Sequence, residues 1–187
     1  MLHKSIFELD VRTTISLNFD SIYDKYATGL TEGTFIVKKY DDSDIRQVVA
    51  GPDRYLIKMH GSMDAPSRMI FTAKDYANAR TKHREFYEVV QSLLHTHTCL
   101  LIGCGLSDPD VRLLFEDYRH ALNESPHYQT MPKPVPHEVS TFIRDTRGIN
   151  ILAYSLRDSH KELNESIAAL AVLASERRDM IVDRRNW

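Results

Sequence analysis

Short apolar runs alternate with longer amphipathic segments along this chain of 187 residues. The runs 54–59 (RYLIKM) and 99–102 (CLLI) have the length and the aliphatic, β-branched or aromatic content that is typical of strands. The segments 74–97 and 158–178 repeat apolar residues at the spacing of one helix face. Because strands that alternate with crossover helices build parallel sheets, the pattern predicts an α/β fold with a mostly parallel sheet.

The same signals assign the individual elements. Strands are predicted at 11–17, 54–59, 99–102 and 148–156, and helices at 20–30, 74–97, 109–122, 137–148 and 158–178. Thr72 and Asp75 have the spacing of a capping box before the second helix. The run 99–102 is predicted to be the clearest central strand, buried on both faces. The segment 123–136 holds four prolines and no periodicity, so we predict a loop there.

Size and composition narrow the function classes. At 21.6 kDa and 42% hydrophobic residues the chain is long enough for one well-buried domain, and we predict a single domain over residues 1–187. The net charge of -2 does not favour a protein whose main task is to neutralise phosphates, although nucleic acid stays an open partner. No stretch approaches the roughly 18 consecutive apolar residues of a spanning helix, so we expect a cytoplasmic protein that does not bind membranes.

Three predicted strands end in clusters of small, polar or glycine residues. The clusters are 18–20 (Asn-Phe-Asp), 60–62 (His-Gly-Ser) and 103–108 (Gly-Cys-Gly-Leu-Ser-Asp). Ligands of open α/β sheets bind beyond the carboxyl ends of the strands, so the three clusters are predicted to line one crevice. This convergence is the principal argument from the residues alone for a functional site.

The side chains in these clusters have suitable chemistry, and each also has a structural explanation. Asn18 carries a donor and an acceptor and suits the orientation of a hydroxyl or water, but an Asn-x-Asp after a strand often caps a helix. His60 suits a general base, but a histidine before glycine is commonly a turn residue. Gly103 and Gly105 would let the backbone approach a phosphate or ribose near a helix N-terminus, and a tight turn needs glycines as well.

Other polar features point less specifically to a function. Cys99 and Cys104 are expected to behave as small buried hydrophobes without a disulfide. His95 and His97 lack a third ligand, and we expect no metal. A basic end comprises Arg177, Arg178, Arg184 and Arg185. It could contact nucleic acid or an acidic partner, but cations also favour the end of a helix, and we expect a solvated surface.

Several motifs occur together in a fixed order. They are 13–20 (TTISLNFD) with Asp24, 56–62 (LIKMHGS), Tyr76, and 101–110 (LIGCGLSDPD), followed by the strand of Tyr154 and the helix of His160. In this order and with these gaps, the chain resembles the sirtuin-like family, in the branch found in bacterial antiphage defence proteins.

The resemblance implies a Rossmann-like three-layer sandwich that binds NAD as its substrate. It implies an NAD+ glycohydrolase (NADase) that releases nicotinamide and ADP-ribose and depletes NAD in abortive infection. Asn18 would hold the nicotinamide ribose or the attacking water, and His60 would act on a ribose hydroxyl. Departure of nicotinamide leaves an oxocarbenium-like sugar, which requires positioned oxygens and a base.

The resemblance also implies a set of cofactor-binding residues and partners. The cofactor-binding set is Asp20, Gly61, Gly103, Gly105, Ser107 and Asp108. Asp20 would support the Asn18 turn, whereas Gly103 and Ser107 would lie along the adenosine ribose. The family context implies a homo-oligomer with a co-encoded protein partner, such as a P-loop ATPase or helicase.

The sequence departs from the family pattern in ways that keep other functions open. The family's first strand and its Gly-Ala-Gly-x-Ser loop have no counterpart in the sequence, which would leave a sheet edge uncovered. Gly105 stands where many relatives carry a serine. The missing glycine-rich loop favours the alternative of a non-catalytic NAD- or ADP-ribose-sensing or scaffold subunit. A protein deacylase is disfavoured, because the four-cysteine zinc module of those enzymes is missing between 61 and 99.

Overall fold

A computed structural model of the chain describes residues 2–32, 34–105 and 107–185. The helices are α1 (Leu2–Glu8), α2 (Ile22–Leu30), α3 (Gln47–Ala50), α4 (Ala73–Lys82), α5 (Arg84–Thr96), α6 (Pro109–Leu122), α7 (His137–Arg147) and α8 (Arg157–Arg185). The strands are β1 (Thr13–Ser16), β2 (Phe35–Lys39), β3 (Arg54–Lys58), β4 (Leu100–Leu101), β5 (His127–Pro132) and β6 (Ile149–Tyr154). A 3₁₀ turn covers Pro66–Arg68.

These strands form two parallel sheets of three strands each. The first has the order β1-β3-β2 and the second the order β4-β5-β6. Every pairing between the described strands is parallel. The predicted α/β fold with parallel sheets is therefore confirmed, and it is a Rossmann-like arrangement in which helices alternate with strands.

The core shows why β3 lies at the centre of the first sheet. Tyr55, Leu56 and Ile57 are each 1% exposed or less. Tyr55 and Ile57 belong to the largest apolar cluster, together with residues of α5 and α6, whereas Leu56 packs on the opposite face with Ala27 of α2. Because successive strand residues point to opposite faces, β3 is covered on both sides by helices, as its unbroken apolar sequence requires.

The run 99–102 forms an edge strand, which corrects the prediction of a central strand. β4 pairs only with β5 among the described strands, and β1 likewise pairs only with β3. The apolar residues of β4 do face cores on both sides: Leu101 packs in the largest cluster, and Leu100 packs with Leu163 of α8. An apolar run indicates that both faces of a strand are covered, but it does not indicate how many neighbouring strands share its backbone hydrogen bonds.

The predicted loop at 123–136 is also wrong, because β5 occupies its middle and is the central strand of the second sheet. Its polar side chains are buried and hydrogen-bonded, which hides the strand from a hydropathy pattern. Gln129 Nε2 donates to the carbonyl of Cys104 at 2.8 Å, and Thr130 Oγ1 donates to the carbonyl of Leu101 at 3.3 Å. The prolines lie before the strand, at its last residue and after it.

The helices agree with prediction more closely than the strands do. The capping box of Thr72 and Asp75 is confirmed at the start of α4. The segment 74–97 is two helices, because His83 (φ -117°, ψ 41°) interrupts it. α8 runs on to Arg185, past the predicted end at 178, but the predicted start at 158–160 has left-handed backbone angles that interrupt the helix there. α1, β2 and α3 were not predicted.

None of the described helices has both the length and the apolar character needed to cross a membrane.

His127 of β5 should make the stability of the fold depend on acid pH. Its ring lies in the core between Phe115 and Tyr118, with centroid separations of 5.2 and 4.4 Å, and its Nδ1 accepts from the backbone N–H of Cys99. Burial lowers the pKa of His127 from 6.5 to about 4. Between these values the unfolded chain binds a proton that the folded chain does not.

The free energy of unfolding should therefore be unaffected by His127 above pH 6.5 and fall by up to about 3 kcal/mol as the pH drops towards 4. Urea titrations across this range measure the effect. His127→Gln, which keeps an acceptor but cannot titrate, should lose that part of the slope, whereas His120→Gln at an exposed position should not. Parallel curves for all three proteins would contradict the assignment.

Candidate active site

The first cluster, 18–20, forms the connection between β1 and α2. The backbone N–H of Asn18 donates to Ser16 Oγ at 3.2 Å, and the Asn18 side chain is exposed. Asp20 Oδ1 accepts from the backbone N–H of Ile22 at 2.9 Å, at the start of α2. The Asp20 carboxylate thus fixes the turn that follows Asn18.

A buried lysine that the sequence did not predict as a site residue contacts this turn from the sheet. Lys58 is the last residue of β3 and is fully buried. Its ammonium donates to the carbonyl of Asp20 and lies 3.3 Å from Asp24 Oδ1. A buried ammonium is stable only when it is paired and hydrogen-bonded, so Lys58 and Asp24 anchor the Asn18 turn to the sheet. A lysine inside the apolar run 54–59 was the available signal.

The second cluster, 60–62, is joined to the first by hydrogen bonds. The carbonyl of Phe19 accepts from the backbone N–H of Met63 at 2.9 Å and from Ser62 Oγ at 3.4 Å. The rings of Phe19 and His60 lie 6.4 Å apart, centroid to centroid. His60 itself is only 3% exposed. The structure therefore brings the Asn18 and His60 loops together at the carboxyl ends of β1 and β3.

The third cluster reaches His60 through its last residue. Asp108 caps α6, since its Oδ1 accepts from the backbone N–H groups of Asp110 and Val111 at 3.0 and 2.9 Å. Its Oδ2 accepts from the Tyr76 hydroxyl at 2.9 Å and lies 3.5 Å from His60 Nε2. The capping carboxylate thus faces the imidazole, so all three predicted clusters meet at this end of the sheets.

The glycines of the third cluster border a cleft of about 550 Å³. Its lining includes Gly103, Cys104, Gly105, Met131, Phe142 and Tyr154. Gly103 has a left-handed φ of 64°, and a Cβ there would meet open space. Ser107 is exposed, and Leu106 lies outside the described residues. The carboxyl ends of β5 and β6 contribute Pro132 and Tyr154, so the cleft occupies the position at which open α/β sheets bind ligands.

The two cysteines of the chain are poor nucleophiles. Both are free thiols, and burial raises the pKa of Cys99 and of Cys104 to about 11. Both thiols are therefore protonated at neutral pH, and only the thiolate attacks. Within the described ranges, no group of three or more histidine, cysteine or acidic side chains is arranged to hold a metal ion.

Gly61 gives the His60 loop a backbone conformation that favours glycine. Its φ is +80°, and a Cβ would lie 2.6 Å from the carbonyl oxygen of Arg68. Gly61→Ala should therefore lower the free energy of unfolding by about 1 to 3 kcal/mol, as measured by urea denaturation. Gly29→Ala in α2 is the control, because a Cβ there meets nothing within 4 Å. It should be neutral or stabilising, and an equal loss in both variants would contradict this role for Gly61.

Comparison with known proteins matches one family model and three relatives. The family model described as the SIR2-like domain matches residues 12–166. The NAD(+) hydrolase ThsA of Enterococcus faecium is 27% identical over 134 residues, which cover 70% of this chain and 28% of that protein. Defense-associated sirtuin 2 of Bacillus subtilis is 24% identical over 168 residues, which cover 86% and 16%. The NAD(+) hydrolase ThsA of Bacillus cereus (strain MSX-D12) is 25% identical over 134 residues, which cover 70% and 28%.

The parallel sheets, with polar loops meeting at the carboxyl ends of their strands, define a Rossmann-like α/β protein. The chain belongs to the SIR2-like family, since the family model covers most of its length. It spans less than a third of the length of each of these three relatives.

Proposed function

We propose that this protein is an NAD+ glycohydrolase that releases nicotinamide and ADP-ribose and thereby depletes NAD in antiphage defence. The observation that carries the proposal is the junction of the Asn18 and His60 loops through the carbonyl of Phe19. Similarity to two proteins named NAD(+) hydrolase and to a defense-associated sirtuin supports the same substrate and role.

Hydrolysis of NAD requires a group that orients the ribose or water and a group that accepts a proton, and the Asn18 and His60 loops would supply both. The bond between ribose C1′ and nicotinamide breaks, nicotinamide leaves with the electron pair, and water adds to the oxocarbenium-like carbon. The exposed Asn18 amide would orient the ribose hydroxyls or the incoming water, and the His60 imidazole would accept a proton from a ribose hydroxyl or from that water. Interactions that strengthen as positive charge develops on the ribose lower the barrier.

The cleft beside Gly103 and Gly105 would hold the nucleotide end of NAD. Glycine allows close approach of the backbone to a ribose or phosphate, and Met131 and Phe142 supply apolar surface for a base. Asp20, Gly61, Ser107 and Asp108 complete the proposed cofactor-binding set. Asp20 and Asp108 would act through the turn and the helix cap that they hold.

We also propose that the chain works in the cytoplasm as part of a homo-oligomer with a co-encoded partner, such as a P-loop ATPase or helicase. Four of the described strands, β1, β2, β4 and β6, pair on one side only, and an open strand edge is a site at which another segment or subunit can pair.

The test is to incubate NAD with the protein, alone and together with its co-encoded proteins, and to quantify nicotinamide and ADP-ribose by liquid chromatography. The proposal expects equal amounts of both products from at least one of these samples. Intact NAD that stays bound would instead select the non-catalytic sensing or scaffold subunit. Products from an acyl-lysine peptide would select the deacylase.

A further inference from the structure

Asp110 is a buried acid that none of the roles above employs. It is the second residue of α6, and its side chain has no exposed surface. Its Oδ2 accepts from the Tyr87 hydroxyl at 2.7 Å and lies 3.9 Å from His60 Nε2. Its Oδ1 has no hydrogen-bond partner and lies 3.5 Å from Arg80 Nη1. A carboxylate is costly to bury, so its position beside His60 calls for a physical reason.

Two carboxylates converge on the same nitrogen of His60. Asp108 Oδ2 lies 3.5 Å from Nε2, and Asp110 Oδ2 lies 3.9 Å from it. Nε2 is buried without a hydrogen-bond partner. A buried N–H and a buried carboxylate both gain from pairing, and each is costly alone. The orphaned nitrogen therefore faces two carboxylate oxygens, Asp108 Oδ2 and Asp110 Oδ2, each of which already accepts from a tyrosine hydroxyl.

The neighbouring tyrosines determine which group must donate. Burial and the hydrogen bonds to Asp108 and Asp110 raise the pKa of Tyr76 and of Tyr87, so both stay protonated and donate to the acids. Burial raises the pKa of Asp110, while the Tyr87 hydrogen bond, Arg80 and His60 act in the opposite direction. Asp108 accepts on both oxygens, from Tyr76 and from the backbone N–H groups of Asp110 and Val111, so the imidazole nitrogen that faces it must supply a hydrogen.

We propose that Asp110 is a positioning residue which, together with Asp108, holds the hydrogen of neutral His60 on Nε2 and leaves Nδ1 as the basic nitrogen. The fixed tautomer follows from the contacts of the folded chain alone, whereas its catalytic consequence rests on the proposed NADase function. A carboxylate that orients the ring and the hydrogen of a histidine also stabilises the imidazolium formed when Nδ1 takes a proton.

The experiment is nitrogen-15 NMR of histidine-labelled protein, which reports the ring nitrogen that carries hydrogen. His60 is assigned by comparison with His60→Gln. Wild type should show hydrogen on Nε2. Asp110→Asn presents an amide that can donate to Nε2, so its His60 should shift towards the Nδ1–H form. Asp117→Asn is the control, since it removes the same charge from an exposed position of α6.

Kinetics then separate positioning from mere stability. Asp110→Asn should lower kcat by about 10- to 100-fold with little change in KM, and Asp117→Asn should change neither. Hydrogen on Nδ1 in wild type, or an unaltered tautomer in a folded Asp110→Asn variant, would overturn the proposal. An Nε2–H wild type without NAD turnover would leave the positioning role standing and remove the proposed function, so the two failures are distinguishable.

Discussion

His60→Ala is expected to slow nicotinamide release from NAD by about 100- to 10,000-fold, the contribution of a positioned general base. Asn18→Ala should cost about 100-fold, the effect of losing a group that orients the ribose hydroxyls or the attacking water. The loss in Asn18→Ala does not require unfolding, because the Asn18 side chain is exposed. The loop contacts between Phe19, Ser62 and Met63 involve neither the Asn18 nor the His60 side chain. Steady-state assays of nicotinamide release measure both.

The chain offers matched controls for these two substitutions. Asn78 of α4 and His120 of α6 are exposed and lie outside the three clusters. Asn78→Ala and His120→Ala should retain the wild-type rate. Full activity in His60→Ala or Asn18→Ala would remove that residue from the catalytic site, and an equal loss in all four variants would point to a general effect on the fold.

Lys58→Met is expected to lower the free energy of unfolding by about 3 to 5 kcal/mol, because it breaks a buried ion pair and leaves Asp24 without its cation. The side chains of Lys58 and Asp24 are 1% and 14% exposed, so solvent compensates little for the loss. The carbonyl of Asp20 would lose its donor as well, and the Asn18 turn its anchor. Urea denaturation at neutral pH measures the change.

Lys39→Met is the matched control for this effect. Lys39 of β2 stands opposite Lys58 in the parallel register and pairs with Asp64, whose side chain is 63% exposed. Solvent screens such a pair, so its loss should cost far less. Double replacement of Lys58 and Asp24 by Met and Leu should recover stability relative to Lys58→Met, since no unpaired charge remains. Equal effects of Lys58→Met and Lys39→Met would contradict the anchoring role.

The parts of the fold that the sequence predicts are those with local signals. β3 has an unbroken apolar run, α6 begins with an aspartate and a proline, and the capping box of α4 is spelled out by Thr72 and Asp75. β5 was missed because its polar side chains find partners from distant segments, such as the carbonyl of Cys104 for Gln129. Such pairing is visible only once the chain is folded.

The candidate site likewise has a part that the sequence predicts and a part that it does not. The clusters at 18–20, 60–62 and 103–108 could be predicted because parallel strands place their carboxyl ends at one edge. The roles of three further residues could not be predicted from the sequence, because they depend on contacts between residues more than 20 positions apart in the chain. These residues are Lys58, Tyr87 and Asp110. In the sequence, Asp110 has the features of an ordinary acidic residue in the first turn of a helix. Only its complete burial beside His60 distinguishes it from such a residue.

The most direct test of one shared site is a double-mutant cycle on nicotinamide release, with Asn18→Ala, His60→Ala and the variant that carries both. Residues that act on the same reacting centre lose activity non-additively. We predict that the double variant is about as slow as the slower single variant. Losses that multiply, as for two independent sites, would contradict the account in which the Asn18 and His60 loops form one active site.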